Sequence, residues 1–201
     1  MGLIGGSLAK ALLDMEGVRV RGYDIDARTM REARAAGITC VKSIEELARG
    51  SDLIVVASPI ETTETVFRKM SPALRPGQVV TDAGSVKAPV AESARRILPA
   101  RAVFVGGHPM AGSERSGFGV SRADLFRGST WILTFDNRTN GGAYLRLTDF
   151  LIGLGVRIVP MTAEVHDDVV SQISHLPHLI AYSLMAQAAA PAGRGPRQDL
   201  A

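Results

Sequence analysis

The sequence has very little cysteine, no long apolar run and no long run of one charge. Its single cysteine, Cys40, excludes an internal disulfide framework. No apolar stretch approaches the roughly 20 residues that a membrane-spanning helix needs, so we expect no membrane insertion. No basic run is longer than a pair such as Arg95-Arg96 and the formal net charge is only +3, so we expect no nucleic-acid partner. The start of the chain does not resemble a secretory signal, and we predict a cytoplasmic protein.

What is present is the composition of an ordinary globular protein, with 46% hydrophobic and 21% charged residues in a chain of 201. Short β-branched runs alternate with segments of helical period. Strands are expected at 18–23, 53–57, 78–81, 102–105, 131–134 and 156–159, and helices at 27–36, 61–73, 86–98 and 142–154. This alternation predicts an α/β fold of the Rossmann type, a doubly wound and mostly parallel sheet with helices on both faces.

The alternation of strands and helices changes at two places. Residues 106–128 are rich in Gly, Ser and Pro and are expected to form a long functional loop. From 161 to 190 the pattern is helical, interrupted only by Pro177, which predicts the start of an all-helical second domain. We therefore expect a dinucleotide-binding domain over 1–160, the beginning of a helical substrate and dimerisation domain over 161–190, and a disordered tail over 191–201.

The first residues match the second half of a G-x-G-x-x-G phosphate-binding fingerprint. Gly2 and Gly5 would be its second and third glycines, with Leu3 and Ile4 between them. In this motif a pyrophosphate lies against the free N–H groups at the start of the following helix. The first glycine and the strand before it are absent, so we expect the chain to begin one strand late and to fold poorly when expressed alone. A Gly-rich turn that opens an ordinary helix is an equally good interpretation of this motif taken by itself.

Two further strand ends extend the cofactor prediction. Asp24 follows the first expected strand, about 20 residues after Gly2, where a carboxylate can accept hydrogen bonds from the adenosine ribose. A carboxylate there would also repel a 2′-phosphate, so NAD is favoured over NADP. Asp26 is expected to cap the next helix. Ser58 and Pro59 end the next expected strand where the nicotinamide ribose would pass, with a simple helix cap as the alternative.

Four motifs occur together and in order along the chain. They read GLIGGSLA from Gly2, DAGSVK from Asp82, GGHPMAGSE from Gly106 and ISHLPH from Ile173. In this combination the sequence resembles the prephenate and arogenate dehydrogenases of tyrosine biosynthesis over nearly its whole length. Composition and periodicity alone indicate only a dinucleotide-binding α/β protein.

The resemblance implies an oxidative decarboxylation that converts prephenate to 4-hydroxyphenylpyruvate. A cyclohexadienyl substrate gives hydride to NAD, loses carbon dioxide and becomes aromatic. By similarity His108 accepts the proton of the ring hydroxyl, and an imidazole with an ordinary pKa of about 6.5 suits that role. Ser85 is expected beside His108, where it would steady both the ring and the substrate hydroxyl.

The same family pattern implies substrate contacts from two other segments. Ser113 and Glu114 line the substrate side of the glycine loop, and His175 and His178 reach in from the second domain. These two histidines are three apart and share one face of a helix, although a purely structural role is also open. We expect no metal site, because the chain has one cysteine and no H-E-x-x-H pattern. His166 and the two aspartates after it are assigned to helix capping and the helix dipole before any chemistry.

Several alternatives stay open on the sequence. A complete family member continues through a helical domain that forms a homodimer and carries an arginine for the substrate carboxylate. Nothing here matches that arginine, so we expect the chain to be cut short at this end too. Arogenate is the alternative substrate, and an inactive NAD-binding fragment is the alternative to an enzyme. Another NAD-linked dehydrogenase or imine reductase would carry a lysine on the interdomain helix, where this chain has His175 and His178.

Overall fold

A computed structural model describes residues 1–137 and 139–189. The strands are β1 (Arg21–Gly22), β2 (Thr39–Cys40), β3 (Leu53–Val56), β4 (Val79–Asp82), β5 (Val103–Pro109), β6 (Thr130–Thr134) and β7 (Arg157–Met161). The helices are α1 (Leu3–Leu13), α2 (Ala27–Ala35), α3 (Ile44–Arg49), α4 (Ile60–Met70), α5 (Ala88–Ile97), α6 (Gly141–Ile152), α7 (Ala163–Val170) and α8 (Leu176–Ala189). Short 3-10 turns lie at Ser71–Ala73 and Phe118–Val120, and a π-helical turn at Ser171–His175 joins α7 to α8.

The main sheet has the strand order β3-β4-β5-β6-β7. Strands β3, β4 and β5 are parallel, β6 is antiparallel to β5, and β7 is parallel to β6. The short strands β1 and β2 form a separate parallel pair. This is the mixed α/β fold with a mostly parallel sheet that the sequence predicts.

Two apolar clusters cover the two faces of the main sheet. One lies against α1 and α6 and contains Trp131 and Leu133. The other lies against α3, α4 and α5 and contains Phe67. Successive residues of β4 point to opposite faces, Val79 into the first cluster and Val80 into the second, as the geometry of a strand requires. The sheet is therefore covered by helices on both faces, which confirms the doubly wound architecture.

The first part of the chain differs from its predicted elements. The strand expected at 18–23 is limited to the two residues of β1, and β2 and α3 were not predicted. Helix α3 is capped by Ser43, whose Oγ accepts from Glu46 N–H at 3.1 Å, while Glu46 accepts from the N–H of Lys42, one residue before the cap, at 2.9 Å. The S-x-x-E spacing that marks this helix start is visible in the sequence, so the signal was available.

Strand β5 is longer than predicted, and this changes the position of His108. The strand was expected to end at 105, before a loop. Instead Gly106–Pro109 pairs with β6, and His108 lies opposite Ile132. A Cβ atom at Gly107 would approach the Asp82 backbone carbonyl to 2.5 Å, so glycine is what allows the strand to continue this close to β4. The predicted loop therefore begins after Pro109.

The helical region after the sheet is confirmed from Ala163 onward. Pro177 is the second residue of α8, which directly follows the π-helical turn Ser171–His175. Helix α8 exposes large apolar side chains, such as Leu179 and Leu184 at 64% and 66%. None of the helices in the described residues is long and apolar enough to cross a membrane. The tail predicted at 191–201 lies outside the described residues.

A buried ion pair joins the carboxyl ends of β4 and β5. Asp82 accepts a hydrogen bond from Lys87 Nζ, and the same ammonium group donates to the Gly107 carbonyl at 2.7 Å. The second Asp82 carboxylate oxygen accepts from Gly107 N–H at 3.1 Å. The Lys87 and Asp82 side chains are only 1% and 3% exposed. Because a buried charge without a partner is strongly destabilising, this pair fixes the end of β5 relative to β4.

We predict that Lys87→Met lowers the free energy of unfolding by about 3–5 kcal/mol, because Asp82 would stay buried without its cation. Urea unfolding of the intact protein measures the change. Lys69→Met, at an exposed position of α4, is the matched control and should leave stability nearly unchanged. If Lys87→Met is as stable as the control, the pair does not hold the strands together.

Candidate active site

Residues from several elements meet at one edge of the main sheet. Strands β3, β4 and β5 run in the same direction, so Ser58, Ser85 and His108, which lie at or just beyond their carboxyl ends, share that edge. The start of α1 reaches the same place, since a Cβ atom at Gly5 would lie 3.1 Å from the Cβ of Ala57. In open α/β sheets this edge is where ligands bind.

The N-terminus of α1 has free donors for an anion. Gly2 is the N-cap residue and no side chain caps the helix, so the first N–H groups, which include those of Leu3 and Ile4, have no partner within the helix. A Cβ atom at Gly2 would meet nothing within 4 Å, which leaves open space in front of the helix. Gly5 is needed for the close approach to the end of β3. Gly2 and Gly5 therefore lie at the start of α1, and their contact with a pyrophosphate stays a prediction.

Asp24 lies beside this helix start. One of its oxygens accepts from the Met1 ammonium group and the other from Asp26 N–H at 2.9 Å. A cavity of about 400 Å³, lined in part by Tyr23 and Met30, opens next to Asp24. Asp26 caps α2 by accepting from backbone N–H groups of that helix, which confirms its predicted role, while the predicted contact of Asp24 with a ribose stays a prediction.

Ser58 has a hydroxyl group that no described residue satisfies. Its Oγ is buried and has no hydrogen-bond partner among the described residues. The N-cap residue of α4 is Pro59, and no side chain caps that helix. The simple helix-cap interpretation of Ser58 is therefore not supported. A buried hydroxyl without a partner is costly, and an oxygen of a bound dinucleotide would satisfy it.

His108 is part of a chain of hydrogen bonds. Its Nδ1 lies 2.8 Å from His166 Nε2, and His166 Nδ1 lies 2.7 Å from Asp167 Oδ1. The Asp167 carboxylate also accepts from the backbone N–H groups of Lys87 and Ala88 at 2.7 and 2.8 Å, so it caps α5. The His166 ring is completely buried. The catalytic candidate from the sheet is thus held by side chains from α7.

This arrangement adds a partner that was not predicted and corrects one expectation. The His108 ring bonds to His166, while Ser85 is exposed and its expected place beside the ring stays a prediction. His166 and Asp167 were assigned to capping their own helix, whereas Thr162 caps α7 and Asp167 caps α5. The buried positions of α7 recur at helical spacing and include His166. That spacing was a usable signal, because a buried imidazole needs a partner. The partner itself, 58 residues away, could not be identified from the sequence.

The surroundings of His108 favour its neutral form. Burial, followed by the neighbouring His166 and Lys87, lowers the pKa of His108 from 6.5 to about 4. This replaces the ordinary value expected from the sequence. Burial also lowers the pKa of His166, although Asp167 opposes the shift. Near neutral pH, His108 is therefore an uncharged imidazole that can accept a proton.

The remaining predicted substrate residues are exposed. Ser113 and Glu114 are exposed in the segment after β5, and Ser113 Oγ accepts from Arg115 N–H at 3.1 Å. His175 lies in the π-helical turn and is close enough to contribute to the lowered pKa of His108. The His178 ring bonds to the Ser174 carbonyl at 2.9 Å. In the described residues none of the four forms a hydrogen bond with His108.

Comparison with known proteins identifies the family. The family model for the nucleotide-binding domain of prephenate dehydrogenase matches residues 8–160. The family model for the dimerization domain of prephenate dehydrogenase matches residues 162–198. The chain belongs to the prephenate dehydrogenase family. Among the residues that the structure describes, no group of three or more His, Cys, Asp or Glu side chains could hold a metal ion.

Relatives with assigned names lie within this family. The chain is 35% identical to prephenate dehydrogenase from Bacillus subtilis, over 93% of this chain and 52% of that protein. The structure of prephenate dehydrogenase from Aquifex aeolicus with hydroxyphenyl propionate and NAD+ matches with a TM-score of 0.85 and 34% identity, over 92% of this chain and 66% of that one. Arogenate dehydrogenase from Synechocystis matches with a TM-score of 0.83 and 30% identity, over 96% and 68%. The chain spans about half the length of most curated relatives that it matches.

We predict that the His108 ring in the ligand-free intact protein titrates near pH 4, which NMR of ¹⁵N-labelled histidine can follow. His108→Asn identifies the signal by its loss. Because the folded pKa lies below the unfolded value of about 6.5, the free energy of unfolding should also fall as the pH is lowered from 6.5 towards 4. A midpoint near 6.5 would contradict the buried environment described here.

Proposed function

We propose that the intact protein is an NAD-dependent prephenate dehydrogenase of tyrosine biosynthesis, which converts prephenate to 4-hydroxyphenylpyruvate and carbon dioxide. The observation that carries the proposal is His108, a neutral imidazole held at the sheet edge where the α1 N-terminus and the unsatisfied Ser58 hydroxyl also lie. Membership of the family supports the substrate class. The relative from Aquifex aeolicus, crystallised with NAD+ and hydroxyphenyl propionate, supports the cofactor and an aromatic ligand.

The residues present fit a dinucleotide. The free N–H groups after Gly2, including those of Leu3, Ile4 and Gly5, would hold the pyrophosphate. Asp24 would accept from the adenosine ribose, and its charge would exclude a 2′-phosphate. Ser58 and Pro59 would lie along the nicotinamide ribose. When bound, NAD supplies an acceptor for the hydride that leaves the hydroxyl-bearing ring carbon.

His108 moves one proton in this reaction. As the ring carbon is oxidised, the hydroxyl oxygen becomes a carbonyl and its proton passes to the imidazole. Loss of the ring carboxylate as carbon dioxide leaves its electron pair in the ring, which becomes aromatic. The oxygen then takes a proton back from His108 and is released as a phenol. The same group takes up and returns the proton, so it must be unprotonated when the substrate binds.

The substrate side of the site is a further part of the proposal. Ser85, Ser113, Glu114, His175 and His178 stay predictions as groups that contact or orient the substrate. Arogenate is the second candidate substrate, since a relative of similar likeness is named arogenate dehydrogenase.

A homodimer is also part of the proposal. Residues 162–198 match a dimerization domain, and Leu179, Leu184 and Met185 of α8 are 64%, 66% and 67% exposed. Both observations support a dimer in which a second copy covers this apolar surface. The cytoplasmic location stays a prediction from the sequence.

We predict that His108→Asn in the intact protein lowers kcat by about 10² to 10⁴ with prephenate, the range that a general base contributes. The affinity for NAD should be nearly unchanged, because His108 is not among the residues proposed to hold it. Steady-state NADH formation and NAD titration measure the two quantities. Turnover within a few fold of the unmodified protein would remove His108 from this role, and turnover with arogenate alone would replace prephenate by arogenate as the substrate.

We predict that the unmodified protein prefers NAD to NADP and that Asp24→Ser reduces this preference. Loss of hydrogen bonds to a charged group should weaken NAD binding roughly tenfold to a hundredfold, while NADP binding should improve. Asp26→Ser is the matched control, because it removes a carboxylate two residues away and keeps a good helix cap. Equal use of both cofactors by the unmodified protein would show that Asp24 does not face the ribose.

A further inference from the structure

We propose that His166 and Asp167 are positioning residues that hold His108 in the tautomer with its proton on Nδ1. His108 Nε2 is then the free acceptor for the substrate proton. The inference rests on the proposed function for the identity of that substrate, while the tautomer itself is a property of the protein alone.

The assignment of protons begins at Asp167. Burial would raise the pKa of Asp167, but hydrogen bonds from Ala88 N–H, Lys87 N–H and the His166 ring outweigh it and hold the pKa below its usual value. Asp167 is therefore an ionised carboxylate, which can only accept hydrogen bonds. Its short contact to His166 Nδ1, 2.7 Å, then requires the proton of that bond to lie on His166 Nδ1.

The proton of the His166 ring determines the proton of His108. Burial lowers the pKa of His166, so the ring is neutral and carries one proton, which Asp167 has placed on Nδ1. Its Nε2 is thus an acceptor. The 2.8 Å contact between His166 Nε2 and His108 Nδ1 can then form only if His108 donates. His108 is also neutral, so its single proton is on Nδ1 and Nε2 keeps its lone pair.

The charged groups around the two rings also bear on this placement of the protons. Lys87 disfavours a second proton on both rings, and His175 disfavours one on His108. Asp82 and Asp167 act in the opposite direction on His166 but do not outweigh burial. If His166 were doubly protonated, both of its nitrogens would donate and His108 would carry its proton on Nε2. That tautomer could not accept a proton from the substrate.

Asp167→Asn reverses the chain of donors in a testable way. The asparagine amide can donate to His166 Nδ1, which would move the His166 proton to Nε2 and the His108 proton to Nε2. A comparable change in the Ser-His-Asp triad keeps the geometry and lowers kcat about 10⁴-fold through the wrong tautomer. We expect Asp167→Asn to lower kcat at least about a hundredfold, with the KM for prephenate and the affinity for NAD within about threefold.

The direct measurement is the tautomer of His108, read from ¹⁵N chemical shifts and long-range ¹H–¹⁵N couplings in the intact protein without substrate. We expect a protonated Nδ1 and a bare Nε2 in the unmodified protein, and the reverse in Asp167→Asn. Asp168→Asn is the matched control, since Asp168 is the exposed next residue of the same helix and its loss changes the charge equally. It should alter neither tautomer nor kcat.

A second pair of variants covers the case in which Asp167→Asn does not fold, because it also weakens the cap on α5. His166→Phe removes the acceptor, and His166→Gln keeps a carbonyl oxygen near the position of Nε2. We expect kcat to fall in His166→Phe and to be partly restored in His166→Gln, whereas a packing role alone would favour the aromatic ring of Phe.

The outcomes separate this inference from the proposed function. A proton on His108 Nε2 in the unmodified protein, or a kcat unchanged by both Asp167→Asn and His166→Phe, overturns the inference even if prephenate is turned over. The expected tautomer in a protein that forms no NADH from prephenate or arogenate supports the positioning role and overturns the proposed function instead.

Discussion

Lys87 carries an ammonium group in a place that water does not reach, and the geometry of the site depends on how that charge is compensated. Its partners are the Asp82 carboxylate and the Gly107 carbonyl. Its own backbone N–H donates to Asp167. One residue therefore links β4, β5, α5 and α7. Because the position of Gly107 is fixed in this way, the next residue, His108, is fixed as well.

The same charge also acts on the chemistry of the site. Lys87 helps to lower the pKa of both His108 and His166, with burial as the larger cause in each case. An imidazole can accept a proton only when it is unprotonated, and the lowered pKa of His108 keeps it in that form near neutral pH. The cation of the pair that stabilises the ends of the strands thus also favours the neutral form of both rings. A substitution of Lys87 would therefore change both the stability of the fold and the pKa of the two histidines.

Local signals in the sequence were sufficient for the fold and for most residues of the sheet edge. The alternation of strands and helices follows from the hydrophobic periodicity, and Gly2, Asp24 and Ser58 stand at or near strand or helix ends that the sequence marks. What it could not supply were contacts between distant segments. The extension of β5 to Pro109 depends on pairing with β6, and hydrogen bonding to a residue 58 positions away decides the partner of His108. The family resemblance named Ser85 as the neighbour of the His108 ring and did not name His166, to which the ring bonds.

The site is shared between the two regions that the family models match. His108 lies in the region 8–160, while His166 and Asp167 lie in 162–198. Asp167 bonds to two backbone N–H groups at the start of α5, so a movement of α7 away from the sheet would break the helix cap and free His166 at the same time. These bonds therefore hold helix α7 against the sheet domain. The π-helical turn Ser171–His175 comes directly after α7, and turns of this type are frequent at functional sites.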